Sequence, residues 1–128
     1  MANYAHLDGE FTGGHLDGND LAYAPESTFS VGVNLDHSFL NGTLNWFAMY
    51  NYTGDFYHDA DNVSQEGSYG LLNARVSFTP TDGNWEFAVA GDNLNDEDYG
   101  AFRGDLGLGS QIHWGYKRMI RAEFIIWF

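Results

Sequence analysis

Eighteen carboxylates against five basic side chains give this 128-residue chain a formal charge of -13, so any chemistry it performs starts from acids. Eleven of them, Asp17, Asp20, Glu26, Asp55, Asp59, Asp61, Glu66, Asp96, Glu97, Asp98 and Asp105, fall in polar stretches with no regular alternation. Clustered carboxylates focus a negative potential that would draw a cationic or metal-bearing ligand. A solvated, salt-screened loop surface carries the same residues with no ligand at all. Asp59 and Asp61 have the spacing that opens a calcium loop, but its sixth position is Ser64 instead of Gly and its twelfth is Gly70 instead of Glu. The histidines, His6, His15, His37, His58 and His113, have no partner at i+2 or i+4. No metal and no cofactor is therefore expected.

Nucleophilic chemistry fares no better. There is no cysteine, which removes thiolate catalysis, thiolate metal sites and disulfides together. Spacing assembles no Ser, His and Asp constellation, and although a glycosidase carboxylate pair could hide among so many acids, nothing points to one. The run Gly104-Asp105-Leu106-Gly107-Leu108-Gly109 lacks the spacing, the Lys and the helix of a phosphate loop, and reads as flexible loop. Asn41-Gly42-Thr43, Asn51-Tyr52-Thr53 and Asn62-Val63-Ser64 match glycosylation sequons, the first two inside an expected turn and strand. No enzyme is expected, and five basic residues exclude nucleic acid as a partner.

The elements that carry these residues are strands. With 16 Gly, 2 Pro and 17% aromatics, the composition suits strands and turns, and period 2 beats period 3.6 throughout. Over residues 28–39 one face reads Phe29, Val31, Val33, Leu35, His37, Phe39 and the other Ser30, Gly32, Asn34, Asp36, Ser38. Asn41-Gly42 predicts a tight hairpin into residues 43–53, where Leu44, Trp46, Ala48, Tyr50 and Tyr52 share a face. Residues 69–79 and 85–93 form a second hairpin around Asp82-Gly83, and 118–128 a last strand. A less regular strand at 3–11 completes an all-β antiparallel meander of about six strands in one domain, residues 1–128.

Two regularities distinguish this meander. Its connections alternate between short turns and the long stretches 54–67 and 95–116. Its apolar faces place Phe39, Trp46, Phe78, Trp85 and Phe128 toward the short-turn end and Phe29, Tyr50 and Tyr52 toward the other. Nothing approaches the roughly 20 apolar residues of a membrane helix, and the start lacks the basic and apolar regions of a signal peptide. A membrane-crossing strand needs only about 9 to 11 residues with alternate positions apolar, and two aromatic belts flank the apolar band of such barrels. The alternative is a soluble β-sandwich, such as a carbohydrate-binding module, with these aromatics in its core or stacked on sugars.

Specific runs carry a resemblance to a family. Tyr69-Gly70-Leu71-Leu72-Asn73-Ala74-Arg75-Val76, a turn with Trp85-Glu86, and then Asn93-Leu94-Asn95-Asp96-Glu97-Asp98-Tyr99 resemble the penultimate hairpin of TonB-dependent receptors. In that family the strand commonly ends in Asn-Leu-(Thr/Asn)-Asp-Glu-x-Tyr, here carried by Asn93, Leu94, Asp96, Glu97 and Tyr99. Upstream, the run from Leu16 to Ala24-Pro25-Glu26 resembles the family's loop before a Ser- and Thr-rich strand. The last strand, with Ile120, Ala122, Phe124, Ile126 and Phe128 on one face, resembles the signal by which outer-membrane proteins are recognised for assembly.

The resemblance implies part of a transmembrane β-barrel in the outer membrane of a Gram-negative bacterium, with energised uptake of a siderophore-iron, cobalamin or oligosaccharide cargo. Family barrels have about 22 strands around a plug domain, and about six strands cannot close a membrane barrel. The expectation is therefore a fragment whose partners are outer-membrane lipid, the assembly machinery, and either the remaining strands and plug or other copies of itself. Lys117, Arg118 and Arg121, clustered where the last strand begins, are then candidates to meet lipopolysaccharide phosphates. Pairing with the loop acids beside them is the equal alternative.

Overall fold

The computed structural model describes residues 1–105 and 109–128. Its elements in chain order are β1 (Ala2–His6), a 3-10 turn (Gly14–Leu16), β2 (Ser27–Phe39), β3 (Gly42–Thr53), β4 (Phe56–Tyr57), β5 (Gln65–Glu66), β6 (Tyr69–Pro80), β7 (Trp85–Asp92), β8 (Gly100–Asp105), β9 (Ser110–Trp114) and β10 (Met119–Ile126). Among the described residues, an antiparallel six-stranded sheet runs in the order β1-β2-β3-β6-β7-β10, and no helix is long and apolar enough to cross a membrane. The sheet is open: β1 and β10 form its edges, each with one neighbour.

Register turns the alternation of each strand into two continuous faces, because side chains opposite one another point the same way. Phe29 faces Tyr52, Val31 faces Tyr50, Val33 faces Ala48 and Leu35 faces Trp46. Next in the sheet, Trp46 faces Val76, Tyr50 faces Leu72, Val76 faces Val89 and Phe87 faces Phe124. The opposite face runs through Ser30, Asn34, Asp36, Asn45, Asn51, Asn73, Arg75, Ser77, Glu86, Asp92, Arg121 and Glu123.

No second sheet covers the apolar face among the described residues. Val31, Val33 and Leu35, which a sandwich would bury, are about half exposed, and Ile120 and Phe124 are 67% and 61% exposed. The buried apolar side chains among the described residues are Ala88 and Ala90, at 1% and 3% exposure, and both sit on the polar face. A soluble core would reverse that distribution.

Both aromatic belts form. Phe39 packs edge-on against Phe78, Phe78 against Trp85 and Trp85 against Phe124, while at the other end Phe29 stacks on Tyr52 and tilts against Tyr50. Phe128 lies beyond β10, and Phe124 takes the place beside Trp85.

Four local expectations need correction. The β2–β3 turn sits on Leu40 and Asn41, with Leu40 at φ 51°, and Gly42 already pairs with Phe39 and Pro80. A Cβ on Gly42 would meet the Thr79 carbonyl and the Phe78 ring, so this glycine is required for close approach and not for its dihedrals. The first strand stops at His6, because the chain leaves the sheet after Leu7 donates to the Glu26 carbonyl and crosses to an isolated bridge between Glu10 and Asp20. The stretch 54–67 contains the short β4–β5 pair, and 95–116, expected to be irregular, contains the β8–β9 hairpin. Of the run from Gly104 to Gly109, residues 106–108 lie outside the described residues. Asp82-Gly83 does form its turn, with Gly83 at φ 69° donating to the Pro80 carbonyl.

Candidate functional site

The polar face is a connected network. Ser30 Oγ donates to Asn51 Oδ1 at 2.8 Å, and Asn45 Nδ2 donates to Asn34 Oδ1 at 2.8 Å and Asp36 Oδ1 at 2.7 Å. Further along, Arg75 pairs with Glu86 and, at 3.4 Å, with Glu123, whose other oxygen accepts from Arg121 Nε at 2.8 Å. Arg121 also pairs with Asp92. Such a face suits a wet lumen or a polar partner, since these groups satisfy each other without apolar cover.

At the long-loop end, the motif around Asn93 acts as a splice between strands. Asn93 is buried at φ 50°, and its backbone N–H donates to Asn73 Oδ1 at 2.9 Å. Its Nδ2 donates to the carbonyls of Glu97 and Tyr116, and its Oδ1 accepts from the Glu97 N–H, all at 2.9 Å. A short amide that tolerates the left-handed region fits this position. Leu94 N–H donates to the Leu72 carbonyl, and Leu94 packs over Gly91 where a Cβ would stand. Asn95 then continues the ladder with its side chain, accepting from Leu72 N–H at 3.0 Å and donating to the Gly70 carbonyl at 2.7 Å. Tyr99 stacks on Tyr69 with ring centroids 4.6 Å apart and lies over Gly115.

The basic trio comes to the same place. Lys117 pairs with Asp98, Arg118 with Asp96 at 3.4 Å, and Arg121 with Asp92 on the polar face. The hydrogen bond that Lys117 donates to Asp98 holds its ammonium above its ordinary range, with Asp96 adding to the field. Ile120, Ala122 and Phe124 face the apolar side with Val89 and Phe87, Ile126 stands opposite Trp85, and Phe128 follows the strand.

The three long connections are stitched together, which spacing alone did not reveal. Asn62 Oδ1 accepts from Asp20 N–H at 2.7 Å, Asn19 Nδ2 donates to the Ala60 carbonyl at 2.8 Å, and Tyr23 N–H donates to the Tyr57 carbonyl at 2.7 Å. On the other side Glu66, buried, accepts from Gly100 N–H at 2.9 Å and from Arg103 Nε at 2.7 Å. Glu66 counts among the loop acids in sequence, but His58 and Arg103 carry no signal that would single them out. Among the described residues no group of three or more His, Cys, Asp or Glu side chains is arranged to hold a metal ion.

Comparison with known proteins matches this geometry. The ferric yersiniabactin uptake receptor FyuA from Yersinia pestis superposes with a TM-score of 0.81 at 23% identity, over 87% of this chain and 17% of the receptor. BauA, the ferric preacinetobactin receptor from Acinetobacter baumannii, superposes with a TM-score of 0.79 at 20% identity, over 94% of this chain and 18% of the receptor. The chain thus spans under a fifth of either receptor. No curated protein matches in sequence. The model of the TonB dependent receptor-like β-barrel matches residues 1–94, most of the chain, and the chain belongs to that family, whose members are outer-membrane receptors of Gram-negative bacteria.

Proposed function

We propose that this chain forms part of the wall and mouth of an outer-membrane barrel that imports a scarce nutrient, with a ferric chelate as the cargo class. The observation that carries the reading is the sheet itself: an uncovered apolar face with an aromatic belt at each end, backed by a satisfied polar face. The ferric class follows the two similar receptors, both named for a ferric complex. The acidic loops favour a cationic or metal-bearing cargo over a phosphate-bearing one. The cobalamin and oligosaccharide classes have no comparable support here, and a soluble carbohydrate-binding sandwich does not fit an uncovered apolar face.

The partners follow from the edges. Strands β1 and β10 present unpaired backbone that a bilayer does not tolerate, so further strands, from the rest of a receptor with its plug or from other copies, must cover them. The outer-membrane assembly machinery reads the last strand through Ile120, Ala122, Phe124, Ile126 and Phe128. Lys117 and Arg118, at the sheet's loop end, meet lipopolysaccharide phosphates by exchanging Asp98 and Asp96 for them.

Single cysteines at Val33 and Asn34 test the wall, since the chain has none of its own. In outer-membrane vesicles, a lipid-soluble quencher should reach a fluorophore at 33 and an aqueous one a fluorophore at 34. Equal aqueous access to both would remove the membrane reading. Loss of energy-dependent ferric chelate uptake on deleting the gene supports the cargo class; unchanged uptake of a panel of ferric chelates refutes it.

A further inference from the structure

We propose that Trp114 and Tyr116 form a rigid platform for sugar rings, and that its occupant is the saccharide portion of the glycolipid around an outer-membrane barrel. The inference rests on the outer-membrane reading above and is independent of which cargo the barrel carries.

The segment between β9 and β10 is pinned through its backbone. Gly115 N–H donates to the Tyr99 carbonyl at 2.8 Å, the Tyr116 carbonyl accepts from Asn93 Nδ2 at 2.9 Å, and Arg118 N–H donates to Asp96 Oδ1 at 3.2 Å. Asn93 is itself buried and Tyr99 stacks on Tyr69, so these anchors are fixed in turn. A Cβ on Gly115 would meet the Tyr99 ring, so the chain lies pressed against that stack. The residues on either side of Gly115 are the ones left in solvent: Trp114 is 58% exposed and Tyr116 82%. Ile112, two residues before Trp114 on β9, is exposed as well.

Large apolar side chains kept in water add nothing to the fold, and several together mark an interaction surface. Because the backbone beneath them is already ordered, a partner that lands on the rings has only two torsions per ring to fix.

Charge selects the kind of partner. Lys117 with Asp98 and Arg118 with Asp96 form exposed ion pairs beside the platform, and Glu97 adds a further acid. An anion therefore finds no surplus of positive charge. A cation finds its position over Trp114 taken, since the Arg103 guanidinium lies 6.0 Å from the ring centroid and is held there by Glu66. What fits is a neutral partner, with apolar C–H faces for the rings and hydroxyls that replace water on the ion pairs, which is the chemistry of a saccharide. The phosphate contact proposed above needs Asp98 and Asp96 displaced; a sugar binds the pairs as they stand.

Position selects the source of that sugar. Ile120 stands on the apolar face opposite Gly91, and Tyr116 lies four residues beyond it, about 13 Å of extended chain. That span carries the platform just outside the hydrocarbon, to the level where an outer-leaflet glycolipid presents its sugars.

Photo-crosslinking in living cells tests the contact in the whole protein. With p-benzoylphenylalanine in place of Tyr116, ultraviolet light should give glycolipid adducts, and far fewer when the same residue replaces Val63, an equally exposed position on the connection 54–67. In place of Val33, on the apolar face, it should give acyl-chain adducts, which checks the membrane wall by itself. Trp114→Leu keeps apolar bulk without the flat ring and should lower the yield at 116 severalfold. In cells whose glycolipid is trimmed to its phosphorylated, acylated anchor, the adduct at 116 should disappear. Adducts at 33 with none at 116, or equal yields at 63 and 116, overturn the proposal and leave the wall standing. An adduct at 116 that survives trimming, or that ignores Trp114→Leu, overturns it too, because the contact is then with the anchor or with no platform. No adduct at either 33 or 116 removes the membrane reading and this inference with it.

Discussion

Replacing Asn93 by alanine removes three side-chain hydrogen bonds at once: two that its Nδ2 donates, to Glu97 and Tyr116 carbonyls, and one that its Oδ1 accepts from Glu97 N–H. Each is worth about 1 kcal/mol net when buried. Alanine must also hold φ 50°, which costs about another 1 kcal/mol. The sum is about 4 kcal/mol, lodged in the splice between β7 and β10. Asn93→Gly keeps the dihedral free and should lose about 3 kcal/mol, so the gap between the variants isolates the backbone share. Hydrogen exchange in detergent micelles reads the effect at Glu97, whose amide bonds to the deleted oxygen. Its exchange should quicken by up to about three orders of magnitude in Asn93→Ala, since each 1.4 kcal/mol is about tenfold. If Glu97 exchanges at the native rate in both variants, the motif is not a splice and the reasoning fails.

Three further outcomes follow from the same geometry. Val33→Arg, at the centre of the apolar face, should cost about 2 to 4 kcal/mol of folded stability in a bilayer while Asn34→Arg costs little, measured by denaturant titration in lipid vesicles; equal costs would contradict the two-faced wall. Lys117 is held above its ordinary range by Asp98, so its contribution is complete below about pH 10.4 and fades as pH rises through the raised value; the native protein should lose stability more steeply than Lys117→Gln only as pH rises above about 10.4. Deleting Phe128 should lower the amount of heat-modifiable protein in the outer membrane without lowering total synthesis, and undiminished assembly would show that the last strand is read without it.

The strands were legible because each carries its own evidence. From Phe29 to Phe39 every second residue must meet one environment, and a pattern of period 2 states that locally, wherever the partner strand comes from. The tip of β2–β3 was misplaced by a residue for an instructive reason. Asn41-Gly42 suggests dihedral freedom, but glycine also serves close approach, and only the neighbour at Thr79 tells the two apart. The β8–β9 hairpin was missed because its anchor is Glu66, 34 residues from Gly100, a distance no local pattern spans. For the basic trio, spacing from Asp96 and Asp98 raised ion pairing as an equal alternative to lipopolysaccharide, and in the structure all three cations have those partners or Asp92.

The loops also invert the usual relation between burial and stability. Among the described residues the buried polar or charged side chains are His58, Glu66, Ser77 and Asn93, while the buried apolar ones are Ala88 and Ala90. The apolar face of the sheet is uncovered and so supplies no core, and the connections have no apolar face to bury against it. Cohesion there must come from hydrogen bonds, which are worth little when exposed and much when their loss strands a buried partner. Glu66 holds two chain segments that share no ladder, and Asn93 ties Glu97 and Tyr116 together just beyond the end of the β7–β10 ladder, so truncating either leaves backbone groups unpaired. Substitutions at these polar positions should therefore disturb the mouth more than apolar swaps such as Val33→Leu or Ile120→Val disturb the wall. The residues that position the loops are the ones a hydropathy profile ranks as surface.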